Sequence, residues 1–319
     1  MRVLVTGGAG FIGYTLSQRL LARGDEVIGI DNLNDYYQVS LKQDRLAQLV
    51  AAGGNRYSFH QVDFADNAAL TKALEGTHID RVVHLGAQAG VRYSIENPHA
   101  YVQSNLVGHV NLLEFARHRG VEHMVYASSS SVYGGNTKLP FAVEDRCDHP
   151  VSLYAATKKA DELMSETYAH LYRLPLTGLR FFTVYGPWGR PDMMMWIFTK
   201  AILAGQPIPL YGDGSTRRDY TFVGDIVRGI AQVIELPGLS YEIVNLGGGG
   251  PVTLLDMARA VEQALGKPLE IKFLEKQPGD VEQTHADISK ANRLFGYQPS
   301  VSLPEGVRRF VAWYKNYEL

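Results

Sequence analysis

The sequence contains a single cysteine, no long apolar run and almost no net charge. One cysteine, Cys147, cannot form an internal disulfide, which fits a reducing compartment. No run of about 18 apolar residues is present, so we expect no transmembrane helix, and the first residues predict a strand rather than a secretory signal. A net charge of −2 gives no reason to expect nucleic acid or an anionic membrane as a partner. These absences favour a cytoplasmic enzyme or binding protein.

Apolar residues, by contrast, make up 45% of the 319 residues, enough for one large α/β unit or two modest domains. Over about the first 180 residues, buried-strand patterns alternate with helical periodicity, which predicts a Rossmann-like, doubly wound parallel sheet. The remainder is less regular and predicts a smaller mixed α/β domain. We therefore expect a nucleotide-binding domain at 1–182, to which segments around 220–250 return, and a substrate domain at 183–319.

A glycine-rich turn follows the first predicted strand, residues 3–6. Gly7, Gly10 and Gly13 are three residues apart, and helical periodicity follows them. This order lets backbone N–H groups at a helix N-terminus approach a pyrophosphate, although an ordinary glycine-rich loop has the same composition. Asp31, eighteen residues after Gly13, favours the first interpretation, because an acidic side chain at the end of the second strand binds ribose hydroxyls. It would also repel a 2′-phosphate, so the predicted cofactor is NAD rather than NADP.

Two further loops at predicted strand ends are candidates for cofactor contact. Asp63 and Phe64 follow the third predicted strand, where ligands lie in such sheets, although Asp63 alternatively caps the next helix. Residues 86–90 are small and would let a cofactor lie close to the backbone. The predicted cofactor-binding residues are Gly7, Gly10, Phe11, Ile12, Gly13, Asp31, Asn32, Asp63, Phe64, Leu85, Ala87, Gln88, Tyr154, Lys158 and Phe181.

The stretch from Ser128 to Lys158 carries the candidate catalytic groups. It begins with four serines after the fifth predicted strand and ends with Tyr154 and Lys158, four residues apart and therefore on one face of a helix. A lysine ammonium beside a phenol favours the ionised phenol, which can act as a general base toward an alcohol. Most tyrosine–lysine pairs at this spacing are a packed ring under a solvated lysine. The position after the fifth strand, where such a sheet presents its ligand, favours a catalytic role.

Together these residues resemble the extended short-chain dehydrogenase/reductase family. The resemblance runs nearly end to end. It is carried by the glycine turn, Asp31, the serines and the Tyr154–Lys158 pair, and by residues 31–37, 87–94 and 184–193. The segments at 218–220 and 279–280 resemble its nucleotide-sugar branch. Gly86 departs from the family pattern, which has alanine there.

The resemblance implies a role for each candidate. Tyr154 takes the proton of the sugar 4-hydroxyl, Ser129 hydrogen-bonds the same oxygen, and Lys158 binds the nicotinamide ribose. Arg190 pairs with a hexuronate carboxylate, for which Arg92 is a weaker candidate. Thr183 lies near the sugar or diphosphate, Arg218 binds phosphate and Asp280 binds the uridine ribose. The implied catalytic residues are Ser129, Tyr154 and Lys158, and the implied substrate-binding residues are Arg92, Ser129, Ser130, Tyr154, Thr183, Arg190, Arg218 and Asp280.

Ser130 and Ser131 reduce the number of reactions that the site could catalyse. Related decarboxylases and dehydratases carry acidic residues where this chain has Ser130 and Ser131, and a serine cannot act as a carboxylate base. The serines therefore favour oxidation and re-reduction, and the resemblance implies NAD-dependent 4-epimerisation of UDP-glucuronate to UDP-galacturonate through a 4-keto sugar. A 4-epimerase of neutral or N-acetylated UDP-hexoses and a non-catalytic NAD- or nucleotide-sugar-binding protein are the alternatives. The family also implies a homodimer formed by helices at 100–118 and 153–172, and no metal-ligand cluster is predicted.

Overall fold

The computed structural model describes residues 1–237, 240–275 and 281–318, without the side chain of Glu318. The strands are β1 (Arg2–Thr6), β2 (Glu26–Asp31), β3 (Tyr57–Gln61), β4 (Arg81–His84), β5 (His123–Ser129), β6 (Leu176–Phe181), β7 (Thr183–Tyr185), β8 (Ile208–Tyr211), β9 (Arg217–Phe222), β10 (Tyr241–Leu246), β11 (Pro251–Thr253) and β12 (Ile271–Leu274). The helices are α1 (Phe11–Arg23), α2 (Val39–Gly53), α3 (Asn67–Ala73), α4 (Tyr93–Glu96), α5 (Pro98–Tyr101), α6 (Gly108–Arg119), α7 (Leu153–Tyr172), α8 (Met194–Leu203), α9 (Val223–Val233), α10 (Leu254–Leu265), α11 (Ser289–Phe295) and α12 (Leu303–Glu318).

A seven-stranded parallel sheet, in the order β10-β6-β5-β4-β1-β2-β3, forms the centre of the fold. The predicted doubly wound α/β architecture is thus confirmed. Val3, Leu4 and Val5 of β1 are completely buried, as expected of a parallel strand covered on both faces. Strands β2 and β3 follow β1 on one side of it, whereas β4 lies on its other side, so the strand order reverses between β1 and β4. This reversal opens a crevice at the carboxyl ends of β1 and β4.

The carboxyl-terminal segments build two small sheets, β11-β9-β7 and β12-β8. The chain leaves the large sheet after β6, and β7 joins β9 in the first of these small sheets. Later, β10 returns to pair with β6 in the large sheet. The smaller mixed α/β part therefore sits beside the carboxyl ends of the large sheet.

Local signals explain how the site-bearing elements begin and end. Helix α1 ends at Gly24, whose φ of 102° is the left-handed conformation that favours glycine. Helix α7, which carries Tyr154 and Lys158, begins where the hydroxyl of Ser152 accepts a hydrogen bond from the Ala155 N–H at 3.1 Å. The serine that caps α7 thus fixes the turn on which Tyr154 lies.

One predicted helix is irregular. Between α5 and α6 the chain forms a π-helical segment, Val102–Val107. The α-helical spacing of side chains predicted at 100–118 is therefore interrupted in this segment. Asp63 does not cap α3, contrary to one interpretation above; Asp66 does, by accepting from the Ala69 N–H at 3.0 Å. No helix in residues 1–237, 240–275 or 281–318 is both long and apolar enough to cross a membrane. The same residues contain no cluster of three His, Cys, Asp or Glu side chains placed to hold a metal ion.

Candidate active site

A cleft of about 480 Å³ lies at the carboxyl ends of the parallel strands, over the crevice between β1 and β4. It extends from the glycine turn to the loop that follows β7. Most of the predicted site residues line it: Gly7, Gly10, Phe11, Ile12, Gly13, Asp31, Asn32, Phe64, Leu85, Ala87, Gln88, Ser129, Ser130, Tyr154, Lys158, Phe181, Thr183, Arg190 and Arg218.

The glycine turn is too tight for side chains. A Cβ atom on Gly13 would lie 2.1 Å from the carbonyl oxygen of Gly7, and one on Gly10 would lie 2.9 Å from the same oxygen. Gly7 has a φ of 65°, and its Cβ would lie 2.8 Å from the Gly86 nitrogen. The turn therefore keeps open a surface of bare backbone at the N-terminus of α1, which suits a pyrophosphate.

Asp31 is held at the edge of this turn. Its carboxylate accepts hydrogen bonds from the Leu33 N–H at 2.9 Å and the Ala9 N–H at 3.3 Å. Burial raises the pKa of Asp31, while these hydrogen bonds and the charges of Lys42 and Arg45 act in the opposite direction. A fixed carboxylate in this position can accept hydrogen bonds from ribose hydroxyls and excludes a 2′-phosphate.

Gly86, which departs from the family pattern, makes room for Phe64. A Cβ atom at Gly86 would lie 2.5 Å from the Phe64 ring, and one at Gly108 would lie 2.4 Å from it. The Phe64 ring is thus inserted between two glycines and buried, with only 8% of its surface exposed. Gly86 is therefore a packing requirement of this chain.

Ser129, Tyr154 and Lys158 all line the cleft. The Ser129 hydroxyl accepts from the Ser131 N–H at 3.1 Å, at the start of a short 3₁₀ turn, Ser130–Tyr133. The ammonium of Lys158 donates to the Ala127 carbonyl oxygen at 2.9 Å and to Asp161 at 3.0 Å. With its side chain only 3% exposed, Lys158 is a fixed cation rather than a solvated surface lysine.

An asparagine from the π-helical segment connects two walls of the cleft. Asn105 accepts from the Gln88 N–H at 2.8 Å and donates to the Gln88 carbonyl oxygen at 3.1 Å. It also donates to the Thr157 hydroxyl at 3.0 Å. Because Thr157 follows Tyr154 by one turn of α7, this contact sets the distance between the small-residue loop at 86–90 and α7. Sequence reasoning missed Asn105, since its role depends on the local π turn.

Arg190 lines the cleft from the loop that follows β7 and has a carboxylate partner of its own. Its Nε donates to Asp192 Oδ1 at 2.9 Å and its Nη2 to Asp192 Oδ2 at 2.6 Å. Burial lowers the pKa of Arg190, but the hydrogen bonds and charge of Asp192 outweigh it and the net shift is upward. When a neutral ligand is bound, Asp192 therefore still supplies an anion to this guanidinium.

Two predicted residues, Asp63 and Arg92, are not in the lining of the cleft. Asp63 stands behind the cleft, where it accepts from Asn32 Nδ2 at 3.1 Å and from the Ala65 N–H at 2.9 Å. Arg92 does not line the cleft; its guanidinium lies over the Tyr211 ring at 4.6 Å. Asp280 lies outside the described residues. Asp63 can thus affect a cofactor only through Asn32.

Sequence reasoning also missed Arg45, which joins the two sides of the cleft. Its side chain is completely buried. One end of the guanidinium donates to the Ala9 carbonyl oxygen in the glycine turn at 2.9 Å, and the other donates to the Trp188 carbonyl oxygen at 2.6 Å. Two residues after Trp188 comes Arg190, so Arg45 links the cofactor turn to the loop that carries Arg190. An arginine within a predicted helix gives no sign of this, because arginines are mostly exposed.

Comparison with known proteins places this arrangement in a family. Residues 3–247 match the family described as NAD dependent epimerase/dehydratase. The chain belongs to this family. A probable UDP-glucuronate 4-epimerase of Rhizobium meliloti is 46% identical to the chain, with 99% of the chain and 98% of the relative covered.

Solved structures of the epimerase/dehydratase fold agree over the whole chain. The UDP-glucuronic acid 4-epimerase of Bacillus cereus, in complex with UDP-glucuronic acid and NAD, superposes with a TM-score of 0.91 at 35% identity, and 99% of each chain is covered. The UDP-glucose 4-epimerase of Thermotoga maritima, with UDP-glucose, superposes with a TM-score of 0.90 at 30% identity, and each chain is fully covered. The predicted family and its NAD dependence are confirmed.

The residues of this family member fit NAD. The bare backbone of the turn at Gly7, Gly10 and Gly13 suits the pyrophosphate, and the buried Asp31 carboxylate suits the adenosine ribose. Tyr36, Tyr37 and Lys42 also line the cleft next to Asp31, and sequence reasoning assigned them no role. The two adjacent tyrosines after Asp31 are the feature of the sequence that could have indicated this part of the cleft.

Proposed function

We propose that this protein is an NAD-dependent enzyme that interconverts UDP-glucuronate and UDP-galacturonate through a 4-keto sugar. The observation that carries the proposal is the position of Arg190, a cation in the wall of the same cleft that holds Ser129, Tyr154 and Lys158. The function printed for the Rhizobium meliloti and Bacillus cereus relatives supports it. In this division of labour, residues 1–182 with segments of 220–250 bind NAD, and residues 183–319 mainly bind the UDP-sugar.

When bound, NAD supplies the hydride acceptor and donor that epimerisation at C4 requires. Tyr154 takes the proton of the 4-hydroxyl as hydride leaves C4, and Ser129 hydrogen-bonds the same oxygen. Lys158 would hold the nicotinamide ribose, and its ammonium would favour the ionised form of the Tyr154 phenol. After the 4-keto sugar has turned its other face, Tyr154 returns the proton as hydride is delivered.

The side chains of the cleft walls determine which side reactions of the 4-keto sugar are assisted. Oxidation at C4 of a glucuronate gives a β-keto acid, which can lose carbon dioxide. Ser130 and Ser131 provide no carboxylate group that could assist elimination or decarboxylation, which favours return of the hydride to C4. Thr183 and Arg218 both line the cleft, and we assign Thr183 to the sugar or diphosphate and Arg218 to phosphate.

The experiment is to incubate the purified protein with UDP-glucuronate and follow the sugar protons by NMR. Appearance of UDP-galacturonate, without free cofactor in the buffer, is the expected result. No change at C4 while NAD is bound would refute the epimerase and leave a non-catalytic binding protein.

A neutral or N-acetylated UDP-hexose remains a second candidate substrate, because Asp192 pairs with Arg190 when no substrate carboxylate is present. The measurement is the ratio of kcat/KM for UDP-glucuronate to that for UDP-galactose. Equal values would refute specificity for the acid.

We further propose a cytoplasmic homodimer. Val102, Val107, Leu163 and Leu171 are 41%, 39%, 54% and 60% exposed, although they lie in the helical segments to which the family resemblance assigns the dimer interface. Light scattering should give twice the chain mass of 35.3 kDa. A monomer at micromolar concentration would contradict the dimer. The single cysteine fits a reducing compartment.

A further inference from the structure

The carboxylate of Asp192 occupies Arg190 in the way that a substrate carboxylate would. The two side chains are joined by two parallel N–H···O bonds of 2.9 and 2.6 Å, the fork geometry that arginine forms with any carboxylate. Asp192 is only two residues from Arg190, so this anion is always present at high local concentration. A hexuronate must therefore displace Asp192 or share the guanidinium with it.

A second element holds Asp192 in place. The hydroxyl of Tyr36 donates to Asp192 Oδ2 at 3.3 Å, and the Tyr36 ring lies 5.8 Å from the Arg190 guanidinium. Tyr36 itself packs on Tyr93, with ring centroids 4.9 Å apart. Both carboxylate oxygens of Asp192 thus have partners, one of them from the loop that begins at Asp31.

We propose that Asp192 is a specificity-determining residue that competes with the substrate carboxylate for Arg190. The inference rests on the proposed function. When a neutral sugar binds, Arg190 stays paired with Asp192. When an acidic sugar binds, its carboxylate replaces that of Asp192, so the gain in binding free energy is only the difference between the two ion pairs. The substrate acid is therefore bound weakly enough to be released when the 4-keto sugar turns over, and Asp192 receives the guanidinium during that movement.

Substitution Asp192→Asn tests the competition. Without the internal anion, the dissociation constant of UDP-glucuronate should fall by about tenfold, which corresponds to about 1.4 kcal/mol, because the substrate carboxylate no longer has to displace an anion from the guanidinium. Those of UDP-glucose and UDP should change by less than about twofold. Calorimetric titration in a Tyr154→Phe background gives these constants without turnover. Asp44→Asn removes an equal charge from an exposed site and is the control.

A double-mutant cycle separates competition from a general charge effect. In the presence of Arg190→Ala, Asp192→Asn should no longer change the affinity for UDP-glucuronate. A gain that persists without Arg190 would overturn the proposal. An unchanged or weaker affinity in Asp192→Asn alone, with normal NAD content and thermal midpoint, would also overturn it, because Asp192 would then orient Arg190.

Failure of the Asp192 proposal can be distinguished from failure of the proposed function. If wild-type protein fails to convert UDP-glucuronate, the proposed function is wrong whatever the variants bind. If the wild type converts it normally and Asp192→Asn binds no more tightly, only the role of Asp192 is wrong.

Discussion

Substitution of Glu162 by glutamine should unfold the protein more easily, because it removes the anion of a buried ion pair. Glu162 lies on α7, one turn after Lys158, and accepts from Arg180 Nε at 2.8 Å and Nη2 at 2.9 Å. The two side chains are 2% and 3% exposed. The Ser128 hydroxyl also donates to Glu162 at 2.7 Å, so the pair holds the strand end that precedes Ser129.

The expected cost follows from this burial. Glutamine keeps the shape but not the charge, and it leaves the Arg180 guanidinium buried without an anion. Removing one partner of a buried pair costs about 3–5 kcal/mol. For a chain of this size we expect the thermal midpoint to fall by about 6–10 °C.

The effect should depend on pH. Burial raises the pKa of Glu162, but hydrogen bonds and charge from Arg180, with contributions from Ser128 and Lys159, outweigh it and the net pKa is lowered from its usual 4.5. A carboxyl whose folded pKa is lowered stabilises the fold above its unfolded pKa, and loses that contribution as pH falls through the folded value. The difference between wild type and Glu162→Gln should therefore be constant near neutral pH and shrink below about pH 4.3.

The assay is urea unfolding at fixed, saturating NAD, followed by tryptophan fluorescence at pH 7.5 and in steps down to pH 3.5. Glu305→Gln is a matched control, because Glu305 pairs with two cations, Arg308 and Arg309, as Glu162 does with Arg180 and Lys159, but on an exposed helix face. The control should unfold close to the wild type. A Glu162→Gln variant within about 1 kcal/mol of the wild type at pH 7.5 would refute the argument, since a buried pair would then contribute no more than a surface pair.

Three other substitutions test the site. Tyr154→Phe should retain NAD and UDP-sugar but lose turnover by about 10²–10⁴-fold, measured by NMR; a near-normal rate would show that another group is the base. Arg190→Ala should weaken UDP-glucuronate about tenfold or more relative to UDP in calorimetry, and equal weakening of both would assign Arg190 to the nucleotide. Gly13→Ala should yield protein without NAD by absorbance, because its methyl group would lie 2.1 Å from the Gly7 carbonyl oxygen. Gly135→Ala, which meets no atom within 4 Å, is its control and should keep NAD.

Sequence patterns that repeat along one element were sufficient to predict most of the fold. The spacing from Gly7 to Asp31 predicts a strand, a turn, a helix and a second strand, because each of these elements depends on neighbouring residues only. The same holds for α7, predicted at 153–172 and observed as Leu153–Tyr172. The assignment of roles within the site remains a set of predictions for the experiments above.

What could not be predicted depends on contacts between distant segments. Arg45 lies on a helix but is completely buried between two loops that are 179 residues apart along the chain, at Ala9 and Trp188. The pairing of Arg190 with Asp192 requires a loop conformation that glycine and proline content do not specify. Asp66 rather than Asp63 caps α3, because Asp63 is already used in a turn with Ala65.

The position of Arg45 also bears on how the sugar preference of such an enzyme can change. It holds the loop before Arg190 by backbone carbonyl oxygens, at Trp188 and Gly189, and not by side chains. Exchange of side chains in this loop leaves those bonds intact, whereas an insertion or deletion would move the carbonyls away and disturb the turn at Ala9. We therefore expect new sugar preferences to arise by point substitution at constant loop length. A loop transplanted from a relative should work only if it keeps that length.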